Sequence, residues 1–371
     1  MITTLLLIAL GLAVALAVLV LVATRTAARV RLDARDRETH LVALSKPGHH
    51  AALVHHPPVG RPRTAPPVIV CHGMGVNAMC MDALDDGAGS PRLSLVRAMA
   101  NAGFDVWALE LRGRGKAIVP KRSRWTVDDE VGEDVPRAIE VVLEKTGAKE
   151  VWWVGHSKGA MVQLLFGATG HALAKKVTAL VAIGTPGTVV FQRKLLRFLV
   201  PWLRAISTVI GDIPLSKLMP LFVPIAGIAR FFGRPVDTLL YENDSRSLAR
   251  LFASIFADVN RGVLDQMLRW VWRSDGAIVS MKGEKYEDGY GNLTMPMLLL
   301  AGAKDHLAPP ASVAWVRDRV KSPDVTMEII GLVSGATHDY GHGDLVLGSR
   351  APEEVFARVI RWLEARSPTE A

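Results

Sequence analysis

Cysteine is scarce in this chain of 371 residues, which contains only Cys71 and Cys80. Two cysteines cannot build a disulfide framework, and their spacing is not that of a zinc-binding motif. Free thiols are typical of proteins in a reducing, cytosol-like compartment. The sequence also lacks internal repeats and low-complexity tracts. These absences favour an ordinary globular chain over a disulfide-rich or repeat protein.

Signatures of nucleic-acid binding are absent too. The chain has 44 Lys and Arg residues against 36 Asp and Glu residues, a net charge of +8. The basic residues are scattered and match no DNA- or RNA-binding motif, so we predict no nucleic-acid partner. A basic surface that faces anionic lipid explains the excess charge at least as well. The length allows one large α/β domain with an insertion, or two domains.

Charge is missing from the stretch between Leu5 and Ala23. About 20 apolar residues span a hydrocarbon core of about 30 Å, so we predict a transmembrane anchor over residues 1–24 and a basic linker over residues 25–37. A secretory signal usually has its positive charges in front, whereas here the basic residues follow the run. These residues are Arg25, Arg29, Arg31, Arg35 and Arg37. The positive-inside rule then predicts a single-pass membrane protein whose main body is cytoplasmic; export after signal cleavage is the alternative.

Short apolar runs alternate with helical patterns in the remaining chain. The runs predict six strands that are buried on both faces of a parallel sheet, at residues 66–72, 104–110, 149–155, 178–184, 295–302 and 325–331. The helical patterns lie at residues 91–102, 133–146, 158–168, 310–319 and 352–365. The segments "THLVAL" and "HAALVHH" predict a hairpin at the sheet edge. This alternation indicates an open α/β sheet, in which functional residues gather at the carboxyl ends of the strands.

Residues 186–294 interrupt this alternation. They contain no convincing strand pattern, but many Leu, Ile and Phe residues at helical spacing, with several prolines that break the helices: Pro201, Pro214, Pro220 and Pro224. We predict a helical cap inserted between two parts of an α/β core, residues 38–185 and 295–366. A structural insertion without a substrate role is the alternative.

The predicted strand at 149–155 ends in the segment "GHSKG", which matches the G-x-S-x-G pattern through Gly155, Ser157 and Gly159. The glycines let a sharp turn between strand and helix close, and the turn exposes the serine hydroxyl. The backbone N–H of Lys158 and the start of the helix then point toward developing negative charge. Ser157 is the predicted nucleophile.

A serine hydroxyl is a weak nucleophile and needs a base that is oriented by a carboxylate. In this architecture the acid follows the serine along the chain, and the histidine comes last. Asp305 follows the strand predicted at 295–302 and is the candidate acid, whereas three aspartates within the insertion are poorer candidates. Those three are Asp212, Asp237 and Asp275. Two histidines, His338 and His342, follow the last predicted strand, and periodicity does not choose between them.

A second donor for the oxyanion is expected in the loop "HGMG" after the first central strand. Gly73 lets the backbone approach a substrate oxygen closely, and the N–H of Met74 is the predicted donor beside the N–H of Lys158. The place of His72 in the chain is wrong for a base, so we predict that its side chain braces the loop.

At these residues the chain resembles the α/β-hydrolase superfamily, over residues 38–365, and within it the acid lipase family. The likeness rests on "VIVCHGMG", "FDVWALELRGRG", "EKTGAKEVWWVGHSKGAM", "AGAKDHLAPP" and "YGHGDLVLGSRAPEEVFARVIRWL". Acid lipases carry the catalytic histidine in an H-x-D-hydrophobic segment before the last helix. The resemblance therefore implies His342 rather than His338 as the base, with Ser157 as nucleophile and Asp305 as orienting acid. The insertion and the "RGRG" turn depart from that family.

The combined prediction is a membrane-anchored serine hydrolase that cleaves carboxylic esters, lipid-like or long-acyl, through an acyl-enzyme and without a metal ion or organic cofactor. An acyltransferase with the same acyl-enzyme and a non-catalytic, membrane-tethered binding protein are the alternatives. The preference for lipid-like substrates depends on the apolar insertion and on the predicted anchor. The sequence predicts no particular oligomeric state.

Overall fold

The computed structural model describes residues 2–32, 38–83, 93–189, 211–225 and 245–368, together with several residues between 198 and 209. Parts of two predicted segments lie outside the described residues. They are the second part of the basic linker, at 33–37, and much of the predicted cap, within 190–210 and over 226–244.

One sheet of eight strands organises the chain, in the order β1-β2-β4-β3-β5-β6-β7-β8. Strands β3 to β8 run parallel to one another. Strand β2 runs antiparallel to both of its neighbours, β1 and β4. The bounds are β1 Thr39–Ala43, β2 His50–His56, β3 Val68–Cys71, β4 Val106–Glu110, β5 Val151–His156, β6 Val177–Ile183, β7 Met297–Gly302 and β8 Val325–Ile330. The six predicted parallel strands and the edge hairpin are therefore confirmed.

The helices lie mainly between the strands, as predicted. The α-helices are α1 Ile2–Val30, α2 Leu95–Asn101, α3 Val127–Asp129, α4 Val135–Thr146, α5 Lys158–Ala168, α6 Leu215–Leu218, α7 Ser245–Ser254, α8 Arg261–Trp272, α9 Pro310–Arg317, α10 Asp344–Leu347 and α11 Ala357–Glu364. One-turn π segments join α3 to α4 at Glu130–Asp134 and precede α11 at Pro352–Phe356. Short 3₁₀ helices cover Ala78–Cys80, Ala172–Lys176, Met219–Ile225, Tyr286–Asn292 and Leu332–Ser334.

Both faces of the sheet are buried. Successive side chains of a strand point to opposite faces, so Trp153 of β5 packs into a core with α4, α5 and α9, while Trp152 and Val154 pack into a second core with α2 and α11. Burial of one large apolar side chain contributes about 1.5–3 kcal/mol, and the central strands bury many such side chains, among them Ile69, Trp153 and Leu299. The continuous apolar runs in the sequence follow from this two-sided burial.

Helices α6, α7 and α8 and two of the 3₁₀ helices lie in the described part of residues 186–294, which contains isolated bridges but no assigned strand. Helix α8 is joined closely to the segment before α3. The Asn260 side chain accepts from Gly262 N–H at 3.0 Å and donates to Ser123 O at 2.8 Å, while Gln266 Oε1 accepts from Val127 N–H at 2.8 Å. These bonds attach α8 firmly to the segment that leads into α3 and α4.

Within the described residues, no helix combines the length and apolar character needed to cross a membrane. The predictions of a transmembrane anchor over residues 1–24, of the membrane as a partner through that helix, and of a single-pass membrane protein are therefore wrong. Helix α1 also continues beyond the predicted anchor to Val30, into the segment predicted as a linker.

The physical reason lies in what the end of α1 contacts. Ala27 is buried in a small cluster with Val223 and Ala253. Immediately after the helix, Arg31 Nε donates to Ala253 O at 3.0 Å, and Leu32 N–H donates to Ser254 Oγ at 2.9 Å. Hydropathy measures the lack of charge in the run, but it does not show that the end of the helix packs on the protein, while Leu10, Val14 and Val18 within the run are more than half exposed.

Helix α5 starts in direct contact with β3, and this contact requires Gly159. A Cβ atom at this position would overlap the carbonyl oxygen of Cys71. We expect Gly159→Ala to lower the free energy of unfolding by about 3 kcal/mol, the upper part of the usual range for overpacking, in urea denaturation.

Gly132→Ala is the matched control, because Gly132 is exposed, helical and without any atom within 4 Å of a Cβ there. This variant should be as stable as the parent or slightly more stable. Equal stability of the two variants would contradict the close packing of α5 on β3.

Candidate active site

Ser157 is the single residue between the end of β5 and the start of α5. Its backbone has φ +54° and ψ −122°, an unfavourable conformation for a residue with a side chain. The Ser157 N–H donates to Ile183 O at 2.8 Å, which ties the bend to the end of β6. The serine is thereby held at the carboxyl edge of the parallel strands.

Two other segments bring His342 and Asp305 to this serine. His342 Nε2 lies 2.9 Å from Ser157 Oγ, and His342 Nδ1 lies 2.7 Å from Asp305 Oδ2. Asp305 follows β7, and His342 lies in the connection after β8. Because the carboxyl ends of parallel strands meet at one edge, residues distant in sequence become neighbours there. Asp305 and His342 are only 2% and 6% exposed.

The Asp305 carboxylate is held in one orientation. Its Oδ1 accepts from the N–H groups of Leu307 and Ala308, both at 2.8 Å. Burial alone would raise the pKa of Asp305, but the charge and hydrogen bond of His342 and the two amides lower it below its usual value. An ionised Asp305 favours the proton on His342 Nδ1, which leaves Nε2 free to accept from Ser157.

Three further residues support the Ser157, His342 and Asp305 group, and no role was predicted for them from the sequence. His156 Nε2 donates to His342 O at 3.1 Å, and burial lowers the pKa of His156 to about 3, so it is neutral. Thr185 Oγ1 donates to Ser157 O at 3.1 Å. Gly184 has φ +54°, and a Cβ there would be 3.3 Å from Asp305 Oδ2. Gly184, directly after the apolar run of β6, was the one signal in the sequence that this backbone lies close to Asp305.

The loop after β3 lies beside the serine. A Cβ at Gly73 would be 3.4 Å from Ser157 Cβ, and Met74 follows directly with its side chain 38% exposed. His72 is fully buried: its Nδ1 donates to Gly73 O at 2.8 Å, and its Nε2 accepts from Leu111 N–H at 3.3 Å. Burial lowers the pKa of His72 to about 3. His72 is therefore a neutral link between this loop and the residue after β4.

Lys158 follows the serine, but its side chain points into the protein. The Nζ atom donates to Glu130 Oε2 at 2.5 Å, and both side chains are buried. Burial lowers the pKa of Lys158, and Glu130 opposes this shift. Every residue of α5 is buried, so a charge at this helix requires a partner. From the sequence, a role was predicted only for the backbone N–H of Lys158, and its pairing with Glu130 was not predicted.

His338, the other candidate base, makes different contacts. Its ring stacks on Tyr340 with centroids 4.4 Å apart, and its Nδ1 lies 3.1 Å from Thr337 Oγ1. His342 is thus the histidine that the fold brings to Ser157. The described residues contain one cluster of histidine and carboxylate groups with metal-ligand spacing, and it lies at the β1 edge of the sheet.

Comparison with known proteins agrees with this architecture. Residues 63–340 match the family described as serine aminopeptidase, S33. Lipase member K of Mus musculus is 24% identical over 332 residues, covering 81% of each chain. Gastric triacylglycerol lipase of Rattus norvegicus is 24% identical over 310 residues, covering 74% of this chain and 75% of its own.

A solved structure shows the same fold. A soluble variant of monoglyceride lipase from Saccharomyces cerevisiae superimposes with a TM-score of 0.61 at 15% identity, covering 91% of this chain and 98% of its own. The predictions of an α/β-hydrolase fold and of a serine hydrolase of the esterase and lipase type are confirmed. Since the family match extends over most of the chain, the protein belongs to the S33 serine aminopeptidase family of the α/β-hydrolase superfamily.

Proposed function

We propose that this protein hydrolyses carboxylic esters with Ser157 as nucleophile, His342 as general base and Asp305 as orienting acid. The observation that carries the proposal is the continuous chain of hydrogen-bond distances, 2.9 Å from serine to histidine and 2.7 Å from histidine to aspartate. The strained backbone of Ser157 supports it, because such strain is concentrated at functional positions.

In the proposed first step, Ser157 Oγ attacks the ester carbonyl carbon and its proton passes to His342 Nε2. The carboxylate of Asp305 stabilises the resulting imidazolium without taking the proton. When the tetrahedral intermediate collapses, the same Nε2–H protonates the departing alkoxide. The products of this step are an alcohol and an acyl group bound to Ser157.

In the second step, water attacks the acyl carbonyl carbon while His342 takes one proton from it. Collapse of the second intermediate breaks the bond to Ser157 Oγ, and the proton returns to that oxygen as the carboxylic acid leaves. The groups that exchange protons in both steps are side chains and water.

The negative oxygen of both intermediates is proposed to lie between the backbone N–H groups of Met74 and Lys158. The contact of Gly73 with Ser157 supports this arrangement, as does the place of Lys158 as the first residue of α5. Each such donor stabilises the transition state by about 3 kcal/mol. The buried pair of Lys158 with Glu130 fixes the start of α5 on which one of the donors lies.

We further propose a core of residues 38–185 and 295–366, a cap of residues 186–294, and substrates with long acyl chains. Leu215 Cδ1 and Val259 Cγ2 lie 3.0 and 3.5 Å from a Cβ position at Gly75, so the cap segment contacts the loop that carries Met74. The cap segment also exposes large apolar side chains: Phe198, Trp202, Val209, Leu218, Phe222, Trp272 and Met281. Relatives named triacylglycerol and monoglyceride lipases support the same substrate class.

Three alanine variants test the assignment of the nucleophile and the base. We expect Ser157→Ala and His342→Ala each to lower kcat for p-nitrophenyl ester hydrolysis by about 10⁴-fold or more. His338→Ala should retain kcat within about threefold, because a side chain outside the reacting group contributes nothing specific to the transition state. Loss of activity in His338→Ala with retention in His342→Ala would reverse the assignment.

The buried pair of Lys158 and Glu130 predicts unequal effects of single and double substitutions. Glu130→Gln leaves a buried ammonium without its counter-ion and should lower the free energy of unfolding by about 3 kcal/mol. The double variant Glu130→Gln/Lys158→Met should recover part of this loss in urea denaturation. Glu140→Gln, the same change in an exposed pair with Arg137, should cost less than about 0.5 kcal/mol. Equal losses in Glu130→Gln and the double variant would argue against the pair.

Acyl-chain length tests the substrate class. Because each buried methylene is worth about 0.8 kcal/mol, kcat/KM should rise at least about tenfold from p-nitrophenyl butanoate to decanoate, measured below the micellar concentration. Aminoacyl p-nitroanilides, which test aminopeptidase activity, should be turned over far more slowly. A preference for butanoate would contradict the long-acyl proposal, and a preference for the anilide would contradict the ester proposal itself.

A further inference from the structure

The β1 edge of the sheet collects Glu38, His40 and His55 on one face. Side chains two residues apart along an extended chain point to the same side, which places Glu38 with His40. His55 N–H donates to Glu38 O at 2.9 Å, so these two residues are opposite each other and share that face. Three side chains that carry metal-ligating atoms therefore meet here because of strand register.

The separations between the ligand atoms suit one small cation. Glu38 Oε1 lies 3.0 Å from His40 Nε2, and Glu38 Oε2 lies 3.3 Å from His55 Nδ1. All three ligand atoms lie within 4.8 Å of one another. In tetrahedral coordination with bonds of about 2.0–2.1 Å, ligand atoms are about 3.3 Å apart.

A second layer of contacts orients His55. Its Nε2 lies 2.6 Å from Asp105 Oδ1, and Asp105 Oδ2 accepts from Trp107 Nε1 at 3.1 Å. Trp107 is paired with His55 across β2 and β4, and its ring stacks on the imidazole at 4.1 Å. A histidine that donates its second ring nitrogen to a carboxylate is the usual arrangement of a metal ligand, since it fixes the tautomer and the ring plane.

This orientation aims the second ring nitrogen of His55 at Glu38. In neutral His55 with the proton on Nε2, the Nδ1 atom is an acceptor that faces Glu38 Oε2 at 3.3 Å, whereas a protonated ring donates to Glu38 and Asp105 alike. His40 Nε2 is enclosed, and among the described residues no group makes a hydrogen bond of adequate geometry to it. A cation between the three ligand atoms satisfies all of them at once.

We propose that Glu38, His40 and His55 form a zinc-binding site, with Asp105 as a positioning residue. Two imidazole nitrogens and one carboxylate oxygen favour Zn²⁺ over Mg²⁺ or Ca²⁺, which prefer oxygen ligands. Because Glu38 is exposed, water can take the fourth coordination position. In the sheet order β1 is four strands from β5, about 19 Å at 4.8 Å per strand, so the ion clamps β1 to β2 and takes no part at Ser157.

The test uses the full chain without a histidine tag, stripped with EDTA, dialysed and titrated calorimetrically with ZnCl₂ at pH 7.5. We expect one site with a dissociation constant of about 10 μM or lower, by analogy with sites that have three protein ligands. His40→Ala and Glu38→Gln should weaken binding by at least about 100-fold, and Asp105→Asn by about 10–100-fold. His171→Ala, which removes an exposed histidine elsewhere, should bind zinc as the parent does.

Glu38 is exposed, so Glu38→Gln tests the ligand set without disturbing the core; unfolding in urea without metal should match the parent. Saturating zinc should raise the melting temperature of the parent and of His171→Ala but not of Glu38→Gln. The proposal is overturned if the parent shows no saturable binding at 100 times the expected dissociation constant. It is equally overturned if Glu38→Gln and His40→Ala bind zinc with the parent's affinity.

Discussion

The tight bend between β5 and α5 is the constraint on which the site depends. The turn closes because residues 155 and 159 have no side chains: a Cβ at Gly155 would overlap the Ala160 backbone, and one at Gly159 would overlap Cys71 O. The close contact forces Ser157 into a positive φ and directs it to the carboxyl edge of the sheet. Packing at the two glycines stabilises that conformation, so the strain at the serine is supported by the core beneath it.

Asp305, Lys158 and His72 are buried polar residues around the bend, and the groups that each one contacts determine what it can do. Asp305 holds its charge because two amides and His342 compensate its burial, and Lys158 is held away from the serine by Glu130. The Nε2 atom of His72 lies 3.6 Å from Glu110 Oε2, but burial lowers the pKa of His72 to about 3, so it stays neutral. Asp305, Lys158 and His72 therefore have different roles, because burial and neighbouring groups set the ionisation of each side chain.

Much of the fold could be predicted from the sequence, because strands buried on both faces appear as unbroken apolar runs and the G-x-S-x-G turn has a local pattern. The choice of His342 over His338 needed a family resemblance, since both follow the same strand. Glu130 and the cluster around His55 could not be predicted, because pairing across elements depends on register and packing. The anchor prediction was wrong because the absence of charge in an apolar run does not show what the end of that helix contacts, and there Ala27 packs against Val223 and Ala253.

The central claim is that Ser157 is the residue that becomes acylated. Incubation with a fluorophosphonate, followed by proteolysis and mass spectrometry, tests it directly, because the reagent reacts covalently with an activated serine. We predict stoichiometric modification of the peptide that contains Ser157, with no modification of the Ser157→Ala variant. Stoichiometric modification of a different residue, or an unmodified but catalytically active enzyme, would contradict the account.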